Sequence, residues 1–294
     1  MAGEKEKNRL AYLGLLCMVS IWGSNFLIAK YTLNYFLPMT IASFRILIAT
    51  IAFFFVWLST RESKKIPFSD HVRFALLAFT GVFLNQVLFI QGLSLTTPAH
   101  AALMVATIPI FVFIFAGKFL KEGFLNIKGS GILISFAGVI ILTKIWGFNL
   151  HSSHILGDLL IIINSVAFAI YTILGKPILS KYKPINVTSI VYFYAVLMML
   201  PFYPFYLRNI HYSSVPLSAY IALGFVVIFA TFVAYILYYW ALSRIEASKA
   251  AAIIYMQPLI GTSLSIIFGF EAFSWNLLFG GALIIGGVLL TESK

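Results

Sequence analysis

Apolar residues run along this chain in long blocks, without the regular apolar/polar alternation of a half-buried strand. Crossing about 30 Å of hydrocarbon at 1.5 Å per residue takes roughly 20 mostly apolar residues. Ten blocks of this kind occur, at residues 10–29, 38–58, 74–95, 98–119, 129–142, 157–179, 187–207, 218–242, 250–268 and 275–290. They predict an all-α membrane protein of ten transmembrane helices joined by short loops, with no soluble domain between them. The fifth and tenth blocks are short and rich in glycine, which suits either close helix packing or a thin crossing of the bilayer.

Composition strengthens this reading. Of the 294 residues 61% are hydrophobic and 10% charged, whereas a soluble domain carries about a quarter charged residues. An ordinary soluble enzyme and a disordered chain are both excluded. The basic start MAGEKEKNRL is followed by no small-residue cleavage pattern before Lys30, so the first block is expected to stay as an uncleaved span. Cys17 is the single cysteine, which excludes an intramolecular disulfide and a cysteine-based metal cluster.

Twenty Lys and Arg against nine Asp and Glu give a net charge of +11. In a soluble protein such a surplus suggests nucleic acid; here it sorts by loop instead. One set of segments holds Lys5, Lys7, Arg9, Arg61, Lys64, Lys65, Arg73, Lys118, Lys121, Lys128, Lys176, Lys181, Lys183, Arg244, Lys249 and Lys294. The alternate loops hold Lys30, Lys144 and Arg208, and Arg45 lies inside a span. This asymmetry places both termini in the cytoplasm and makes the lipid bilayer, with no nucleic acid, the expected partner. A multi-pass protein of a bacterial inner (plasma) membrane is expected.

The two halves align. At an offset of 149, Leu93 falls on Leu242, Pro109 on Pro258, Glu122 on Glu271, Gly131 on Gly280, Gly138 on Gly287 and Val139 on Val288. At an offset of 146, Lys30 falls on Lys176, Pro38 on Pro184 and Ser43 on Ser189. The division is into residues 1–147 and 148–294, five helices each. Because five is odd, the second copy enters the membrane upside down relative to the first. Two inverted halves that exchange conformations open alternately to the two sides, the physical basis of alternating access.

Trp22-Gly23-Ser24-Asn25-Phe26, Pro38 followed by Arg45, and the stretch from Leu93 through Pro109 to Glu122 resemble the EamA-type family of the drug/metabolite transporter superfamily. The second half resembles the same pattern from Leu242 through Pro258 to Glu271, Gly280, Gly287 and Val288. The resemblance covers nearly the whole chain and implies a 5+5 helical carrier of small metabolites, with amino acids, sugars and nucleotide derivatives all represented in the family. The second half departs from it, since Phe168-Ala169-Ile170-Tyr171 replaces the Trp-Gly-Ser-Asn run and Val191 stands where Arg45 stood. The two halves therefore contribute different chemistry.

Polar side chains in hydrocarbon are costly and usually face the bundle interior, which makes them the candidate site. At 1.5 Å per residue from each helix start, Trp22, Asn85, Gln86, Thr107, Thr231, Gln257 and Pro258 fall roughly 12 to 18 Å deep, near the midplane. Asn25, Tyr171, Tyr235 and Tyr255 fall nearer the ends, as gates or cavity wall. Each of these also suits plain interhelical bonding. Gln257 precedes Pro258, whose ring removes a helix hydrogen bond and frees a carbonyl; Pro109 does the same in the first half, and both are hinge candidates as well as structural kinks. Thr231, Tyr235, Tyr238 and Tyr239 share one helix face, with the last two read as an interfacial aromatic belt. Arg45 is read as snorkelling to the outer edge and pairing with Asp158, in preference to a direct contact with a carboxylate of the cargo. Glu122 and Glu271 are read as caps at helix ends, and His100 as a packed polar residue.

These residues point to a transporter of small neutral or zwitterionic metabolites, amino acids or relatives, with export as the expected direction. A sugar or nucleotide-derivative carrier is the alternative, although one peripheral Arg is few for phosphates. No HExxH or GxSxG pattern supports an enzyme, and no cofactor or metal is expected. His151, His154 and Asp158 have a spacing compatible with a metal, but two of them lie in an outer loop. A homodimer through Ala282 and Gly286 is compatible, while a monomer suffices.

Overall fold

The computed structural model describes residues 2–60, 66–123, 126–143, 154–207, 214–269 and 272–292, with the side chains of 2–8 and 126 excepted. The described residues form ten apolar helices and contain no strand. They are α1 (Ala2–Thr32), α2 (Pro38–Thr60), α3 (Phe68–Leu95), α4 (Pro98–Leu120), α5 (Asn126–Leu142), α6 (Ile155–Ile178), α7 (Pro184–Met199), α8 (Leu217–Leu242), α9 (Ala247–Ile267) and α10 (Trp275–Glu292). Eight are long and apolar enough to cross a membrane; α5 and α7 are apolar but shorter. The seventh block thus ends well before residue 207. Pro201 and Pro204 lack the amide hydrogen that a continuing helix requires, and only a single turn, Tyr203–Tyr206, follows. In contrast α3 starts earlier than residue 74, because Pro67 in extended backbone precedes Phe68 and Asp70 sits in the first turn, where a carboxylate favours the helix dipole.

Four of these helices are interrupted. Pro109 and Pro258 cannot accommodate the carbonyls of Val105 and Ile254 four residues before them. Helix α4 accordingly breaks at Ala106 and Thr107, and α9 tightens into a 3₁₀ turn at Ile253–Tyr255. In α3 and α8 a wider π-turn intervenes, at Ala78–Leu84 and Ile228–Val233.

Helix α1 packs on α8 and α9, and α6 packs on α3 and α4, so each half is clasped by the other. The pairs α2–α7 and α5–α10 complete the contact between halves. Tyr31 meets Ser218 at 2.8 Å and Gly14 lies against Trp240, so α1 and α8 run antiparallel. The α5–α10 seam is built on glycine. A Cβ at Gly131 would lie 2.5 Å from the Gly287 carbonyl oxygen, and one at Gly138 would lie 2.7 Å from that of Gly280. Between them Ser135 donates to the Ile284 carbonyl at 3.2 Å. Ala282 and Gly286 point away from this seam, where Ala282 is exposed and nothing lies within 4 Å of a Cβ built at Gly286.

Lysines cap two helix ends. Lys30 donates to the carbonyls of Leu93 (2.8 Å) and Thr96 (2.7 Å) where α3 stops. Lys176 donates to those of Leu242 (2.6 Å) and Ile245 where α8 stops. A cation suits the negative end of a helix dipole, and here it also satisfies carbonyls left without an amide. Since α1 and α8 are antiparallel, the two capping sites lie at opposite ends of the bundle. Glu122 does cap a helix, but a distant one: it accepts from the amides of Ala247 (2.7 Å) and Ser248 (3.1 Å) at the start of α9. Glu271 lies outside the described residues.

Candidate functional site

The interruptions of α3, α4, α8 and α9 bring polar groups to the centre of the bundle. A π-turn takes a carbonyl out of the normal helix ladder, and such carbonyls need other donors in hydrocarbon. In α3 the Gly81 carbonyl accepts from the Tyr235 hydroxyl at 2.8 Å; in α8 the Ala230 carbonyl accepts from the Trp22 indole at 2.9 Å. Gly81 and Ala230 are 149 residues apart, the offset of the internal repeat. Each half thus offers the equivalent carbonyl to an aromatic donor from the other half.

Around these bonds lies a small cavity of about 50 Å³, lined by Trp22, Asn25, Phe26, Arg45, Asn85, Phe89, Val105, Ile108, Asn164, Phe168, Tyr235 and Gln257. Trp22 faces Phe168, its repeat counterpart, edge-on at 5.6 Å, and lies 6.0 Å from the ring of Tyr235. A polar chain supports the wall. Gln86 donates to the Tyr235 hydroxyl at 3.2 Å, Tyr235 also approaches the Asn85 side-chain oxygen at 2.8 Å, and Asn85 donates to Asn164 at 2.9 Å. The chain ties α3, α6 and α8 together.

Of the ten residues expected to bind substrate, Trp22, Asn25, Asn85, Tyr235 and Gln257 line the cavity. Asn25 and Tyr235 thus share one cavity wall with Trp22, Asn85 and Gln257. Gln86 and Thr231 are fully buried one layer out, bonded to Tyr235 and Arg45 respectively. Tyr171 is also behind the wall, stacked on Tyr239 at 4.6 Å. Thr107 and Tyr255 do not reach the cavity. The Thr107 hydroxyl bonds back to the Met104 carbonyl at 2.6 Å within the α4 break, and Tyr255 is buried in the 3₁₀ turn of α9. Pro109 and Pro258 are buried just beyond the breaks they cause.

Arg45 overturns the expectation of a peripheral residue. Its Nε donates to the Thr231 hydroxyl at 2.8 Å, near the middle of α8, and its guanidinium lies 5.9 Å from the Phe89 ring centroid. The side chain turns inward because the π-turn of α8 presents Thr231, whose hydroxyl itself donates to the Val226 carbonyl five residues earlier. Asp158 is engaged elsewhere, accepting from Thr96 at 2.6 Å and facing His100 Nδ1 at 2.9 Å. His154 sits beside this pair with Nδ1 at 3.1 Å from the Leu95 carbonyl, while His151 lies outside the described residues. The belt reading of Tyr238 and Tyr239 is also overturned. Both are fully buried, and Tyr238 meets Thr172 at 2.7 Å.

Sequence reasoning missed Asn164 and Phe168 as wall residues. Asn164 is a polar residue midway along α6, and the same depth rule identifies it; Phe168 is the repeat partner of Trp22. The apolar contributors Phe26, Phe89, Val105 and Ile108 carry no signal that separates them from other membrane residues. A second cavity of about 380 Å³ shares Phe26 with the first and is lined further by Pro98, Thr143, Pro258, Thr262 and Ser274. It lies beside the ends of α4, α5 and α10 marked by Pro98, Thr143 and Ser274. Among the described residues the central lining offers amides, ring faces, one hydroxyl and one cation, with no carboxylate, imidazole or thiol. That set suits reversible binding.

Comparison with known proteins agrees with this architecture. The family model described as the EamA-like transporter family matches residues 9–144 and again 155–293. An uncharacterized transporter of Archaeoglobus fulgidus is 30% identical over 96% of this chain and 99% of its own length. The uncharacterized transporter YyaM of Bacillus subtilis is 25% identical, covering 95% of this chain and 92% of the relative. A protein of known crystal structure, 18% identical, superimposes with a TM-score of 0.77 over 96% of both chains and shares the fold. With the family model matched once in each half, the chain belongs to the EamA-like transporter family.

Proposed function

We propose that this membrane transporter carries small neutral or zwitterionic metabolites, amino acids or related compounds, by alternating access between two inverted five-helix repeats, residues 1–147 and 148–294. The observation that carries the reading is the exchange of donors at the cavity, where Trp22 and Tyr235 each bond the equivalent π-turn carbonyl of the opposite half. The rest of the inter-half contact supports it. The seam pairs Gly131 with Gly287 and Gly138 with Gly280, crosswise, as a two-fold relation between α5 and α10 requires. Ser135 meets Ile284, its own repeat counterpart, on what would be the axis. Lys30 and Lys176 cap equivalent helices at opposite ends.

A cavity of about 50 Å³ accommodates a few waters at most. A metabolite site usually needs about 300 Å³ or more, so binding requires the halves to part. The breaks beside Pro109 and Pro258 are where the helices bend. The charge distribution favours a bacterial inner membrane with both termini cytoplasmic, and export is the expected direction. One chain contains the whole cavity, so a monomer suffices. A phosphorylated sugar or nucleotide is disfavoured because Arg45 is the single cation among the described residues of the lining.

The test is flux of radiolabelled amino acids in proteoliposomes of defined orientation. Trp22→Ala, Gln257→Ala and Tyr235→Ala are each expected to lower flux about tenfold or more, which corresponds to roughly 1.4 kcal/mol or more of lost stabilisation, with normal insertion. Wild-type flux left unchanged by all three would refute the cavity assignment. Asymmetry between the two loading directions reports whether export is preferred.

A further inference from the structure

We propose that Arg45 is the carboxylate anchor of the central cavity and that the cargo is a carboxylate-bearing compound, an apolar zwitterionic amino acid fitting best. The inference rests on the carrier reading above and names the substrate class of its site. Arg45 is 3% exposed, its Nε is taken by Thr231, and among the described residues its Nη1 has no hydrogen-bond partner. Among the described residues no carboxylate pairs with it within 4 Å. A cation held in hydrocarbon without a counter-charge is costly, and such residues in membrane helices are ordinarily kept for function. Asn25 supplies the second observation. Its side-chain oxygen is buried, lines the same cavity and also lacks a partner among the described residues, so it accepts from a donor on the cargo.

An anion for Arg45 and a hydrogen-bond donor for Asn25 describe a carboxylate and an ammonium group on one small molecule. The remaining wall, with Phe26, Phe89, Val105, Ile108 and Phe168, suits an apolar side chain. The second half has Val191 at the position equivalent to Arg45, so the site offers one anionic subsite and not two. The cargo therefore binds in a single orientation, its carboxylate towards α2, although the scaffold is nearly symmetric.

Matched sets of acid, amide and amine test this with the purified full-length protein: leucine, leucinamide and isopentylamine, and the corresponding phenylalanine and methionine series. Binding is read by calorimetry and transport by proteoliposome flux. In at least one set the acid is expected to bind about ten- to a hundredfold more tightly than its amide or amine. Arg45→Gln should abolish that preference, and Arg45→Lys should keep part of it, because an ammonium retains the charge but loses the planar fork. Thermal unfolding separates anchoring from a structural role. Removing an uncompensated buried charge should leave the melting temperature of Arg45→Gln unchanged or raised. Amides or amines handled as well as acids, an acid preference that survives Arg45→Gln, or displacement of the acid by equimolar chloride would each overturn the anchor. Flux without acid preference sinks the anchor alone, whereas acid-selective binding with no flux of any compound supports the anchor and sinks the carrier reading. Neither binding nor flux in any series overturns both.

Discussion

Gly287→Ala is expected to destabilise the protein by about 3 kcal/mol or more, the upper end for overpacking, seen as a large fall in unfolding temperature and loss of a monodisperse species in detergent. The new methyl would lie 2.3 Å from the Ser135 hydroxyl oxygen, 2.5 Å from the Gly131 carbonyl oxygen and 2.6 Å from the Ser135 amide nitrogen. Two of these three atoms are backbone and cannot rotate away. The only relief is separation of α5 from α10, which breaks the Ser135–Ile284 bond and opens the second glycine pair. Membrane helices gain little from the hydrophobic effect between themselves and depend on such close approach. Gly286→Ala is the control, since its methyl meets nothing within 4 Å. It should leave stability unchanged. Equal melting of the two variants would show that the seam is looser than its geometry implies.

Gly81→Ala should be comparably severe, again about 3 kcal/mol or more, and it should also abolish flux in any protein that survives. A Cβ there falls 1.9 Å from Cδ2 and 2.1 Å from Cγ of Tyr171. The ring cannot retreat, because it is fully buried, stacked on Tyr239 at 4.6 Å and packed on Phe168 at 5.7 Å. Any displacement disturbs Tyr235, 6.1 Å away, whose hydroxyl bonds the Gly81 carbonyl itself. Trimming the ring gives the decisive measurement. Gly81→Ala with Tyr171→Leu should recover much of the lost stability, so that the two changes are strongly non-additive. A double variant no more stable than the sum of the singles would place the clash elsewhere.

Both predictions concern glycines that the sequence displays in different ways. Gly131, Gly138, Gly280 and Gly287 stand out in the internal alignment, which matches 131 with 280 and 138 with 287. Their contacts run the other way, 131 with 287 and 138 with 280, as the proposed two-fold relation between the halves requires. Gly81 gives no signal in the sequence; its need for hydrogen depends on a tyrosine 90 residues later on another helix. Trp22, Asn85 and Gln257 were legible as candidate lining residues from their middle depth, and Asn25 and Tyr235 as candidate wall residues from their intramembrane polarity nearer the helix ends. Thr107 satisfied the same rule and failed it, since a hydroxyl in a helix can turn back on its own backbone.

Arg45 shows most clearly where depth counting stops. Its α-carbon does lie towards one end of α2, but a long side chain covers several ångströms, and which end it seeks depends on its neighbours. What drew it inward was Thr231, exposed to it by a π-turn that no hydropathy profile records. Tyr238 and Tyr239 are buried because the face they share with Tyr235 is packed against α6, where Tyr238 meets Thr172 and Tyr239 stacks on Tyr171.

The sequence by itself determined the membrane setting, the positions of the apolar helices, the sidedness of charge and the kinship of the two halves. These are sums over local transfer free energies and over residue identity, and neither depends on which helix neighbours which. Only the tertiary structure decided which glycines touch, which polar groups meet at the centre and that, among the described residues, no acid pairs with the arginine there. Those outcomes depend on helix rotation to within a fraction of a turn, and π-turns and proline breaks reset that rotation at the depth where the site is built.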